Sequence, residues 1–155
     1  MTIKSTTFLR VMYRLSLFGL IAAVALFAGP GNAHKDPVTA QQLKAYDDAF
    51  MAEVKKGDLL FHGDDAIAKQ MGVTLSKTGM ACAMCHPMTS DTHPQSFPKF
   101  QAQMAKFATL RDMINWCIEK PNQGEKIESD SQAMKALEAY IYWSNSGSVL
   151  VPGKY

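Results

Sequence analysis

Apolar residues recur along most of this chain at helical spacing, but the first long run does not alternate at all. Residues 15–28 read LSLFGLIAAVALFA, a block without a single charge. Further on, Leu43, Tyr46, Phe50 and Val54 share one face of a helix predicted over 39–56, with Thr39 as its N-cap and Gly57 as its stop. The pattern leaves open whether 39–62 forms one broken helix or two. Residues 62–79 are polar with several glycines, which predicts a loop or a short helical turn, and the three prolines within 87–98 predict an irregular loop. Phe100, Met104, Phe107, Leu110, Ile114, Cys117 and Ile118 predict helix over 99–120, divisible at Thr109 and ended by Pro121. The last helix is the clearest. Met134, Leu137 and Ile141, flanked by Tyr140, form its apolar stripe, Ser129 with Gln132 resembles a capping box, and Gly147 supplies a stop. With no strand pattern and no internal repeat, the expected class is all-α.

The charges before the apolar block change its meaning. Lys4, Arg10 and Arg14 precede it, no acidic residue occurs before Asp36, and Pro30, Gly31, Asn32 and Ala33 follow it. This order predicts a signal peptide over residues 1–33, cut after Ala33. The block is shorter than the roughly 20 residues a spanning helix needs, so an uncleaved anchor is the secondary reading and no membrane span is expected after cleavage. Removing 33 of the 155 residues leaves 122, enough for one modest domain over 34–155. It also removes three of the 16 basic residues and none of the 14 acidic ones, so 13 face 14 and the formal charge falls to −1. A nucleic-acid partner would need a basic face, and nothing here provides one. His34 would become the new amino terminus. Copper chelation there lacks a second histidine pair, and a frayed end is the plainer expectation.

Chemistry concentrates at Cys82-Ala83-Met84-Cys85-His86. A C-x-x-C-H run is the signal for covalent haem attachment: two thiols add to the two vinyl groups, and the next residue offers an imidazole to iron. Cys82 and Cys85 are therefore the expected haem thioethers and His86 the expected proximal iron ligand. A zinc site would need two more ligands at suitable spacing, and the only other cysteine is Cys117; a thioredoxin-like pair would need a βαβ context. Export fits the haem reading, because such proteins receive their haem outside the bacterial cytoplasm. One motif predicts one covalent haem c, held in a single cytochrome c-like domain whose last helix crosses the first near Phe61. His93 lies seven residues past His86, too near to reach the opposite haem face, so a surface or propionate-bonding role is expected. For the distal ligand, Met104, Met113 and Met134 are all far enough along the chain, and each also fits core spacing. Met88 is too close. Cys117 reads equally as a small buried hydrophobe or a free thiol.

The stretch 97–147 resembles the haem domains of the sulfur-oxidation cytochrome SoxA and of thiosulfate dehydrogenase. The similarity runs through Phe97-Pro98, then Leu110-Arg111-Asp112-Met113-Ile114-Asn115-Trp116-Cys117, a glycine-containing loop, Ser131-Gln132-Ala133-Met134 and Leu137-Glu138-Ala139-Tyr140-Ile141. The resemblance implies that Cys117 is the distal iron ligand, with Met104, Met113 or Met134 as the fallback. It also implies a cation near that cysteine, an arginine in SoxA; Arg111 is the nearest basic residue before it. Many of these relatives carry two haem-type domains, whereas this chain has one haem motif. Two functions follow. The first is a periplasmic electron carrier between a donor dehydrogenase or cytochrome and an acceptor cytochrome or oxidase. The second is an enzyme or enzyme subunit in which Cys117 is catalytic and meets thiosulfate or a related sulfur anion. Sequence alone leaves the enzyme question open, with the carrier favoured. A haem-based gas sensor would need an open iron position, which nothing identifies.

Overall fold

A computed structural model describes residues 37–154. The expected signal peptide, its expected cleavage site and His34 lie outside the described residues. The chain from Ala40 onward forms one compact unit. Its elements, in order, are α1 (Ala40–Phe61), α2 (Asp65–Gln70), α3 (Cys82–Cys85), β1 (Lys99–Gln101), β2 (Lys106–Ala108), α4 (Leu110–Glu119) and α5 (Gln132–Ser144), with 3-10 turns at Thr89–Thr92, Pro94–Ser96 and Ala102–Met104. Among the described residues no helix is long and apolar enough to cross a membrane.

The open question over 39–62 resolves into one unbroken helix of 22 residues. Gly57 does not stop it. A Cβ at Gly57 would run into the Ala136 carbonyl oxygen and stand 2.7 Å from Tyr140 Cβ, so this glycine is where α1 and α5 touch. The contacts ascend together along the two helices. Gln132 Nε2 donates to Glu53 Oε1 at 3.3 Å, Gly57 meets Ala136, and the rings of Phe61 and Tyr140 sit 5.4 Å apart. Only Val54, Gly57, Leu60 and Phe61 of α1 are buried. Leu43, Tyr46 and Phe50, the expected core face, are exposed. Length is the reason. At about 1.5 Å per residue α1 is roughly 33 Å long and α5 roughly 20 Å, so the shorter helix covers only the C-terminal half of the longer one.

The apolar stripe expected on α5 is the heart of the core. Met134, Leu137, Tyr140 and Ile141 are buried, joined by Ala133 and Ala136. Trp143 stacks on Tyr140 but stays exposed. The cap is Ser131 rather than Ser129, its side chain accepting from the Met134 amide, and Asn145 closes the other end ahead of Gly147. The sequence signal was offset by two residues because Ser129, Asp130 and Ser131 are all capping types.

The all-α expectation fails in one place. Residues 99–108 form an antiparallel hairpin in which Phe100 pairs with Phe107 and Lys99 with Ala108. Good helix formers with apolar spacing at 100, 104 and 107 suggested helix, but burial does not follow that spacing. Lys99 and Ala108 turn inward, while Phe100 and Phe107 face solvent. Tertiary placement of β1 overrides local propensity. The helical part starts at Thr109, whose side chain accepts from the Asp112 amide while Asp112 accepts from the Thr109 amide. That capping box turns the suspected break into the true beginning of α4.

Candidate haem site

One turn of helix, α3, presents the C-x-x-C-H run. The His86 amide closes it on the Cys82 carbonyl at 2.9 Å, which sets the two cysteines three apart on one turn. The turn is held from both sides. Upstream, just past α1, Gly63 takes φ 82°, and a Cβ there would stand only 2.9 Å from the Ala81 Cβ, so glycine suits both the backbone and the space beside the turn. Downstream, the Thr89 hydroxyl donates to Tyr140 Oη at 3.2 Å and Asn145 Nδ2 donates to the Thr89 carbonyl at 3.2 Å, tying the loop after His86 to α5.

Beside this turn lies a cavity of about 230 Å³. Cys82 and His86 form one part of its wall, and Met113 and Cys117 of α4 form another. Phe61, Phe97, Leu110, Ile114, Leu137 and Ile141 supply an apolar lining. A second hollow, of about 560 Å³, also touches Cys82 and has a mixed wall, with Asp64, Asp65, Ser76 and Asn122 beside Leu60, Val73 and Leu75. Only the smaller cavity holds His86 together with the sulfur atoms of α4. A flat apolar group with an iron centre fits its chemistry: hydrocarbon walls, an imidazole, and soft sulfur donors four residues apart on one helix.

The other candidates fall elsewhere. Met134 is fully buried in the core, Met104 sits in the turn at the hairpin tip, and Met88 is exposed; none lines the cavity. Met113 does, and its sulfur accepts from Gln101 Nε2 at 3.1 Å. His93 also lines the cavity and is exposed, with a left-handed backbone at φ 47°. Arg111 is not part of it. Its guanidinium is spent on Glu138, at 2.8 Å from Nη2 and 3.0 Å from Nε, and on the Ser129 carbonyl at 3.0 Å. The cation in the cavity wall is Lys99, which sequence reasoning missed because only the inward turn of β1 distinguishes it from other lysines.

All three thiols are unbridged, and among the described residues no group of three or more His, Cys, Asp or Glu converges to hold a metal ion. Burial pushes the Cys82 thiol up to about 11, helped by the nearby Cys117 and Cys85 sulfurs. The Cys117 thiol is likewise pushed up to about 11, mainly by burial and then by Cys85. Near neutral pH these sulfurs keep their protons unless a carbon bond or a metal ion replaces them.

Position along the chain is matched by similarity to known proteins. Residues 69–150 match the family described as SoxA/TsdA, cytochrome c domain. A thiosulfate dehydrogenase of Psychrobacter arcticus is 24% identical over 106 residues, covering 63% of this chain and 31% of that relative. The chain thus matches about a third of the length of this curated relative.

Proposed function

We propose a role in electron transfer for this chain, which belongs to the SoxA/TsdA cytochrome c domain family. Membership carries haem c binding and redox protein partners with it. The finer reading is an exported, periplasmic carrier holding one haem c, with thioether bonds to Cys82 and Cys85, His86 as proximal ligand and Cys117 as distal ligand. One observation carries this: Cys82, His86 and Cys117 line a single apolar cavity although 31 residues separate the last two. Bound haem supplies a one-electron iron couple. The chain's own residues do the rest. The α1–α5 crossing keeps the Phe61, Leu137 and Ile141 wall dry, the Thr89–Tyr140 and Asn145–Thr89 bonds hold the loop behind His86, and the Thr109–Asp112 box fixes the helix bearing Cys117. Donor and acceptor are redox proteins, a dehydrogenase or cytochrome on one side and a cytochrome or oxidase on the other.

Intact-mass analysis of protein exported and matured in a bacterial host tests the reading. The expected product starts at His34 and carries the mass of one haem, and Cys82→Ala or Cys85→Ala retains at most one thioether. A mature chain without added haem mass would refute it, and a membrane-bound product retaining residues 15–28 would replace the soluble carrier by an anchored one.

A second reading, oxidation of thiosulfate or a related sulfur anion at Cys117, draws on the printed name of the matched relative and on Cys117 facing the cavity. Thiosulfate-dependent reduction of the oxidised protein, lost in Cys117→Ala, separates it from the carrier.

A further inference from the structure

Lys99 is only 8% exposed, and its ammonium lies 4.8 Å from the centre of the Phe97 ring. Both residues line the cavity that holds His86 and Cys117. A lysine with so little of its surface in water ordinarily has a carboxylate beside its ammonium. Among the described residues no carboxylate forms an ion pair with Lys99. Asp91 also lines the cavity and is exposed, but it forms no ion pair with the lysine. The face of Phe97 gives part of the compensation through the negative quadrupole of its ring. The neighbouring Gln101 donates its Nε2 to the Met113 sulfur at 3.1 Å. The hairpin therefore delivers one lysine ammonium, backed by an aromatic ring, to the wall of a largely apolar cavity that His86, Asp91 and His93 also line.

We propose that Lys99, backed by Phe97, is the seat for an oxyanion group inside the haem cavity. The ligand chemistry is a carboxylate or a comparable small oxyanion held by one ammonium. Two sources share that chemistry: a propionate of the bound haem, or a free anion such as thiosulfate or sulfate entering beside Cys117. The proposal rests on the haem reading above and adds the residue that handles negative charge, a role Arg111 cannot take while bound to Glu138. Lys99 is a positioning and binding residue here, with no covalent step assigned to it.

The test uses the full chain, matured with haem, in three forms: unchanged, Lys99→Met and Lys99→Arg. Covalent haem content is measured first in each, so that loss of haem binding is scored separately from loss of the seat. The midpoint potential is then recorded, and sodium thiosulfate and sodium sulfate are titrated against the oxidised absorption spectrum, with sodium chloride at matched ionic strength as control. If the seat holds a propionate, Lys99→Met lowers the potential by leaving that charge uncompensated, Lys99→Arg restores it, and added anions change nothing. If it holds a free oxyanion, the unchanged protein shows a saturable spectral shift and Lys99→Met weakens the apparent affinity at least tenfold. Normal haem content in Lys99→Met, with an unaltered potential and no anion response in any form, overturns the seat and leaves the haem reading standing. Absence of haem from the unchanged protein overturns both. Should Lys99→Met fail to accumulate, Lys99→Gln together with the anion titration of the unchanged protein decides between the same outcomes.

Discussion

The α1–α5 crossing and the segment from Phe97 to Glu119 meet the same cavity and are built on opposite terms. The crossing is closed. Its buried residues are small or apolar, its helices come backbone against backbone where Gly57 meets Ala136, and its interior is nearly inaccessible to water. The segment is half open. It sets Lys99, Met113 and Cys117 facing a hollow, leaves Phe100 and Phe107 in solvent, and adds individual polar bonds to the packing of Leu110 and Ile118. The lesson is a division of labour: the crossing gives stability, and the segment gives chemistry at adjustable positions.

Breaking the crossing should have the largest effect. Gly57→Ala places a methyl group against the Ala136 carbonyl, and overpacking of this kind costs about 3 kcal/mol when the backbone cannot give way. Chemical denaturation of the haem-loaded protein should show that loss, whereas a change within about 0.5 kcal/mol would mean that the two helices are free to separate.

The next largest effect should come from the polar bonds of the segment. Asn115 is buried, donating from Nδ2 to the Ile127 carbonyl and accepting from the Ile127 amide through Oδ1, each at 2.9 Å. Asn115→Ala strands both backbone groups and should cost about 2 kcal/mol. Because Asn115 lies between Met113 and Cys117 on α4, the oxidised absorption spectrum should shift as well, which Gly57→Ala should not cause at equal loss of stability. Identical spectra in the two variants would erase the proposed division.

A smaller effect should appear with pH. Asp112 is held down at about 2, against an ordinary 3.8, chiefly by the Lys106 ammonium at 2.7 Å and then by the Thr109 amide and hydroxyl. A depressed carboxylate stabilises the fold above its unfolded value and loses that contribution as pH falls through its folded one. The stability gap between the unchanged protein and Asp112→Asn should therefore be full at pH 5 and close between about pH 4 and pH 2. A gap that persists unchanged at pH 2 would show that the carboxylate charge is not what fixes the start of α4.

The same contrast explains what could be read from the sequence. The stripe Met134, Leu137, Tyr140, Ile141 was legible because a buried helix repeats its apolar positions at one period. The C-x-x-C-H run was legible because the chemistry demands adjacency. Gly57 was misread as a stop, since local sequence shows a missing side chain but not the helix that occupies its place. Leu43, Tyr46 and Phe50 promised a core face that α5 is too short to cover. The hairpin was hidden because its strands are three residues each, too short to establish a period of two against helix-forming residues. Lys99 carried no signal at all: its importance lies in where β1 faces. Met113 could not be separated from Met104 and Met134 by spacing, and is separated from them only by the cavity.

The central proposal is that Cys117 of α4 would ligate the haem iron together with His86, with which it lines one cavity. Electron paramagnetic resonance of the oxidised, haem-loaded protein tests it most directly when the unchanged chain is compared with Cys117→Ala. The account predicts a low-spin thiolate signal in the unchanged protein that disappears in Cys117→Ala and persists in Met113→Ala. An identical signal before and after loss of Cys117 would contradict it.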